Sequence, residues 1–185
     1  MAKAKIRSGQ VLLAEPFMLD PNFKRSAVLL CEHGPEGSIG FIFNKRLDMR
    51  VDSLINDFPE FNSRVFFGGP VQTDTIHYLH NVGDLLEGSI QVAEGVWWGG
   101  DFQKLKFLID SQLVLPKNIR FFVGYSGWSE GQLESELEWG SWVMADMDPN
   151  YLFKSRPEQL WSQIMRNKGS TYTVIAQMPD AVTWN

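Results

Sequence analysis

The chain has 185 residues, 44% of them hydrophobic and 21% charged, with 13 Phe, 7 Trp and 4 Tyr and a formal charge of −5. This composition excludes disordered, collagen-like and low-complexity classes and describes one globular domain. No window approaches the roughly 18 uninterrupted apolar residues of a membrane helix, and Met1 to Gln10 lacks the apolar core of a signal peptide, so a cytoplasmic protein with no membrane partner is expected. A lone Cys31 cannot close an intrachain disulfide, which fits a reducing compartment.

The charge is unevenly placed. Between Phe121 and Phe153 there is no Lys or Arg, while Glu130, Glu134, Glu136, Glu138, Asp146 and Asp148 are all acidic. Residues 1–8 carry Lys3, Lys5 and Arg7 and no acid, and read as a flexible basic arm ahead of a single domain spanning 9–185. A net acidic chain argues against direct nucleic-acid binding, because clustered Lys and Arg supply most of the nonspecific affinity for phosphates.

In chain order, Val11 to Ala14 is an apolar run ended by Glu15-Pro16. Asp20-Pro21-Asn22-Phe23 has the form of a capped loop or helix start. Ala27 to Glu32 and Ser38 to Asn44 flank His33-Gly34-Pro35-Glu36-Gly37, the pattern of a β-hairpin. Val51, Leu54, Ile55 and Phe58 then repeat at helical spacing until Pro59. Three aromatic doublets follow, Phe66-Phe67, Trp97-Trp98 and Phe121-Phe122, each running into glycine within two residues. Adjacent strand residues point to opposite faces, so each doublet predicts a strand with a large ring on both sides of a sheet covered on both faces.

After the second doublet, Asp101 is placed as the N-cap of a helix lined by Phe102, Leu105, Leu108 and Ile109. After the third, Gly124 to Gly127 reads as a glycine-rich turn, with Ser129 and Gln132 as a capping box for the next helix. A similar box, Ser155 with Glu158, precedes a helix whose apolar stripe is Leu160, Trp161, Ile164 and Met165. Tyr172 to Ala176 is a further short apolar segment.

Known chemical motifs fit poorly. Gly124-Tyr125-Ser126-Gly127-Trp128 departs from G-x-S-x-G, since Trp128 stands where the nucleophile elbow needs glycine. Cys31, His33, His77 and His80 lack the close ligand pairs of a structural zinc site, and His77 and His80, three apart on a strand, face opposite sides. Asp101 at its helix start repels phosphate, and neither glycine-rich nucleotide motif occurs.

Taken together, the polar turns and apolar runs are ordered as in a known family. Gly9 to Pro16, Asp20 to Ser26, Val28 to His33, Gly40 to Asn44, Phe67 to Val71, Leu79-His80, Trp98 to Asp101, Gly124 to Trp128 and Gly131 to Glu134 make the chain resemble the YqgE/AlgH family of bacterial proteins. The resemblance does not extend to Tyr172–Asn185. It implies an α+β domain with a branched, mixed, partly barrel-like sheet flanked by helices, and it supplies no catalytic residues. The label of transcriptional regulator carried by some members points to an indirect effect. A non-enzymatic binding or regulatory module is therefore expected, with an unknown protein or small-molecule partner and no cofactor or metal. Its expected surface gathers His33, His80, Trp98, Asp101, Ser126, Trp128 and Glu134. The alternative is an enzyme whose pocket is formed by the glycine-rich turns.

Overall fold

In the computed structural model, which describes residues 5–169 and residue 177, the first apolar runs pair as the pattern predicts. β1 (Gln10–Ala14) lies between β2 (Ala27–Gly34) and a late strand, β10 (Trp142–Asp146), antiparallel to both. β2 turns into β3 (Gly37–Ile42) as a hairpin, with Gly34 opposite Gly37. Between β1 and β2, Asp20 closes a turn by accepting the Asn22 N–H at 2.8 Å, so that motif is a capped loop. The first four residues and the expected apolar segment Tyr172 to Ala176 lie outside the described residues.

The middle of the chain contributes β4 (Arg46–Arg50), the single-turn helix α1 (Val51–Leu54), β5 (Arg64–Phe67), β6 (Val71–His80), β7 (Ile90–Ala93) and β8 (Val96–Trp98). The helix α2 (Phe102–Asp110) leads to the long strand β9 (Ile119–Ser129), and α3 (Gln132–Glu138), α4 (Pro149–Phe153) and α5 (Pro157–Asn167) follow around β10. Sheet order is β10-β1-β2-β3-β9-β6-β8-β7, with β4 and β5 branching from β9. The β5–β9 pair is parallel and the others are antiparallel, so the sheet is mixed and branched, curling into a half-barrel with helices around it. The α+β class is as expected.

Two expectations about the extent of elements change. The periodic stretch to Phe58 forms helix only to Leu54, because Asp57 has φ +59° and the Asp52 carboxylate draws the Phe61 N–H back at 2.8 Å. Ile55 and Phe58 still pack inward, so the apolar pattern reports burial rather than helix length. The second change is larger. Gly124 to Gly127 is not a turn but the middle of β9, whose residues 121–123 pair with β5 and β6 and whose residues 126–129 pair with β3. Gly124, at φ +69°, bends the strand between these partners, and a Cβ there would collide with the Gly69 carbonyl oxygen.

The third doublet does what its spacing predicts. Phe121 packs with Phe58 and Phe61 on one face, while Phe122 packs with Phe41 and Phe66 on the other, with ring centroids 5.3–6.1 Å apart. Leu160, Trp161, Ile164 and Met165 of α5 are buried against the second face, as their stripe requires. Neither capping box forms in full. Gln132 accepts the Ser129 N–H at 2.9 Å, but Gly131 is the N-cap of α3. Ser155 donates to the Asn150 carbonyl, and Arg156 is the N-cap of α5, with no side-chain cap.

Candidate functional site

The β2–β3 register sets the first cluster. A bulge between Leu30 and Glu32 shifts the pairing so that His33 stands directly opposite Ser38, where cross-strand side chains meet. His33 Nδ1 lies 2.6 Å from the Ser38 hydroxyl, and Nε2 lies 3.5 Å from Glu134 Oε1 on α3. Ser38 is buried, whereas the His33 side chain keeps 18% of its surface open and Glu134 49%. The imidazole thus joins a shielded hydroxyl to an open carboxylate, an arrangement that can pass a proton or orient a polar ligand group.

His33 and Glu134 lie on the wall of a cleft of about 860 Å³, with Ser38 buried behind the His33 ring. Ile6, Leu137 and Met144 give the cleft apolar lining, and Lys5 and Arg7 share it with Glu134 and Glu138. Residues 5–8 of the basic arm therefore line the cleft, and the Arg7 N–H is held by Gln10 at 2.8 Å. His33 also borders a second groove of about 730 Å³, shared with Val71, Tyr125 and Trp128.

Of the remaining expected site residues, Trp128 stands opposite Ser38 in the β3–β9 register, and the others lie apart from this cluster. His80 is fully buried. Its Nε2 lies 2.8 Å from the Gly99 carbonyl and its Nδ1 accepts the Val82 N–H at 3.2 Å, which together require the neutral Nε2–H tautomer. Burial lowers its pKa against the opposing pull of the Gly99 carbonyl. Beside it, the Tyr78 hydroxyl donates to the Gly100 carbonyl at 2.6 Å, and burial with the nearby Asp101 charge pushes the phenol up to about 12. Asp101 caps α2 through the Lys104 N–H at 2.8 Å, and Trp98 packs edge-on to Phe41. His80, Trp98 and Asp101 thus lie around the β6–β8 pair and its exit into α2, where their hydrogen bonds and packing are with neighbouring backbone and core.

Ser126 and Trp128 are also interior. Ser126 is fully buried and donates to the Gly68 carbonyl at 3.0 Å, which leaves its hydroxyl committed and out of reach of solvent. Trp128 packs edge-on to Trp142 with centroids 5.9 Å apart, and is 5% exposed. Of the seven residues expected on one surface, His80, Ser126 and Trp128 are inside, and only His33 and Glu134 are brought together with an open face. The residue that sequence reasoning missed is Ser38. Counting outward from the Gly34–Gly37 turn would have paired it with His33. Among the described residues no group of three or more His, Cys, Asp or Glu side chains could hold a metal ion, and no helix is long and apolar enough to cross a membrane. His77 and His80 lie on opposite faces of β6, His77 among Phe41, Trp98 and Tyr125.

The family model described as AlgH-like matches residues 11–173. A UPF0301 protein of Chlorobaculum tepidum is 45% identical over 175 residues, covering 95% of this chain and 94% of the relative. A UPF0301 protein of Chlorobium limicola is 44% identical over 176 residues, covering 95% and 94%. Among solved structures, the AlgH protein from Pseudomonas aeruginosa aligns with a TM-score of 0.72 at 28% identity, over 98% of this chain and all of that one. A protein from Corynebacterium diphtheriae aligns with a TM-score of 0.78 at 22% identity over 96% and 95%, a likeness of fold alone.

Proposed function

The chain belongs to the AlgH-like family, and from that premise and the cleft's geometry we propose that it is a non-enzymatic binding or regulatory module whose site is the His33 cleft. The observation that carries this reading is the His33 ring, held by Ser38 at 2.6 Å and facing Glu134 on the wall of a cleft with apolar lining. Such a site suits a small molecule or peptide segment that places a hydrogen-bonding or cationic group at His33 and Glu134 and an apolar body against Ile6, Leu137 and Met144. In this reading the protein is cytoplasmic, residues 5–8 of the basic arm contribute to the site of one domain spanning 9–185, and any influence on transcription runs through the bound partner rather than DNA contact.

The test is a thermal-shift screen of metabolite and peptide libraries, with pull-downs in parallel, on the wild type and on His33→Ala and Glu134→Gln. A ligand or partner that raises the melting temperature of the wild type and loses this effect in both variants supports the proposal. Hits that ignore both substitutions, or no hit in either format, overturn it.

The Ser38–His33–Glu134 chain favours a second reading, a hydrolase in which His33 takes the Ser38 proton while the hydroxyl oxygen attacks a carbonyl. Against it stands the burial of Ser38. Labelling with a fluorophosphonate separates the two: an adduct on Ser38 that disappears in His33→Ala establishes the hydrolase, and an unlabelled chain leaves the binding module.

A further inference from the structure

A local departure from the chain's acidity lies in a groove away from the His33 trio. Arg46 of β4, Arg64 of β5, Lys117 of the turn before β9, Arg120 of β9 and Arg156 at the start of α5 line a groove of about 630 Å³ in which Glu158 is the single acid. In a chain whose formal charge is −5, five cations from four separate stretches of chain converge on one concavity.

How these cations are satisfied is the second observation. Arg120 is half-buried and its guanidinium is fixed by carbonyls alone: Pro116 at 2.8 Å, Ile119 at 2.9 Å and Phe153 at 3.2 Å. Neutral carbonyls orient a half-buried guanidinium but do not neutralise it, and burial together with the neighbouring Arg46 charge lowers its pKa. Arg46 pairs with Glu158 at 2.9 Å, and Arg64 with the exposed Asp48 at 3.5 Å. Lys117 and Arg156 are exposed and have no ion-pair partner among the described residues. The groove also receives the start of α5, an eleven-residue helix with no side-chain cap, whose first-turn residue Glu158 is drawn sideways to Arg46. A positioned guanidinium without a counter-ion, two unpaired cations and an uncapped helix start together describe a place for an anion.

We infer that this groove binds the phosphoryl group of a small organic phosphate, with Arg120 as the fixed floor and Lys117 and Arg156 closing on the anion. Arg120 needs a partner of high charge density, which a phosphoryl group supplies with three oxygens for the converging donors. The groove's volume suits one such group and a modest organic body, and the acidity of the remaining chain repels a long polyanion. Glu158 acts as a resident competitor that holds Arg46 until the ligand arrives.

The experiment is amide NMR and calorimetric titration of the full chain with inorganic phosphate, AMP and a short duplex DNA. AMP and phosphate should shift the amides of residues 117 and 156 and compete with each other. Lys117→Ala and Arg156→Ala, both exposed and expected to fold, should each weaken AMP binding about tenfold. Glu158→Gln should tighten it severalfold by freeing Arg46, a gain that no purely structural role predicts. The inference is overturned if neither phosphate nor AMP saturates these amides by about 10 mM, a limit weaker than any useful affinity, or if Glu158→Gln leaves AMP affinity unchanged. It is also overturned if the duplex binds more tightly than AMP with a log–log salt slope steeper than about −3, equivalent to more than three released counterions and so to a nucleic-acid tract.

Discussion

His33 and His80 are the same residue type near the ends of two strands, and the fold treats them oppositely. His33 ends on side chains, Ser38 and Glu134, with part of its ring open to a cleft. His80 ends on backbone, the Gly99 carbonyl and the Val82 N–H, with no exposed surface. A ring tied to side chains at a cleft can exchange partners with a ligand. A ring tied to main chain in the interior stands in for the sheet and loop hydrogen bonds that the chain cannot otherwise make. What distinguishes the cleft histidine from the interior one here is the kind of partner each nitrogen has, a property of register and burial rather than of residue type.

The comparison can be broken most forcefully at His80. His80→Ala removes the partners of the Gly99 carbonyl and the Val82 N–H and opens a buried void, and should cost about 3 kcal/mol in chemical denaturation. Tyr78→Phe, which leaves only the Gly100 carbonyl without its donor, should cost about 1–2 kcal/mol in the same measurement. Acid provides a third test. Burial lowers the folded-state pKa of both His80 and His77 below the ordinary 6.5, so between those values the unfolded chain binds more protons. Their contribution is complete above pH 6.5 and is lost as pH falls through the folded pKa values, so denaturation midpoints should drop below pH 6.5, and less steeply in His80→Gln. The smallest stability effect belongs to the open cluster. His33→Ala and Glu134→Gln should each change stability by less than about 1 kcal/mol, because partly exposed groups lose little on substitution.

Much of the fold was legible in the residues, for identifiable reasons. The Phe121-Phe122 doublet forecast a sheet packed on both faces because side-chain alternation along a strand has no other outcome. The Leu160, Trp161, Ile164 and Met165 stripe and the Asp101 cap were equally readable, since both depend on neighbours within four residues. Gly124 misled because glycine followed by polar residues has the composition of a turn, and only the close passage of Gly68 and Gly69 makes it a bend inside a continuous strand. The same passage buries Ser126 on the Gly68 carbonyl, a contact spanning 58 residues that no local pattern encodes. Of the candidate site, His33 and Glu134 were named from sequence, while Ser38 required the hairpin register and the basic groove required four distant stretches of chain to converge.

The most direct measurement is the affinity of a library hit for three proteins, the wild type, His33→Ala and His80→Gln, taken by calorimetry at a temperature below the melting point of all three. If the open histidine carries binding and the sealed one carries stability, His33→Ala loses the ligand while keeping its melting temperature, and His80→Gln melts earlier while keeping wild-type affinity. The reverse assignment, with affinity lost at His80→Gln and retained at His33→Ala, would contradict the division of labour between the two rings.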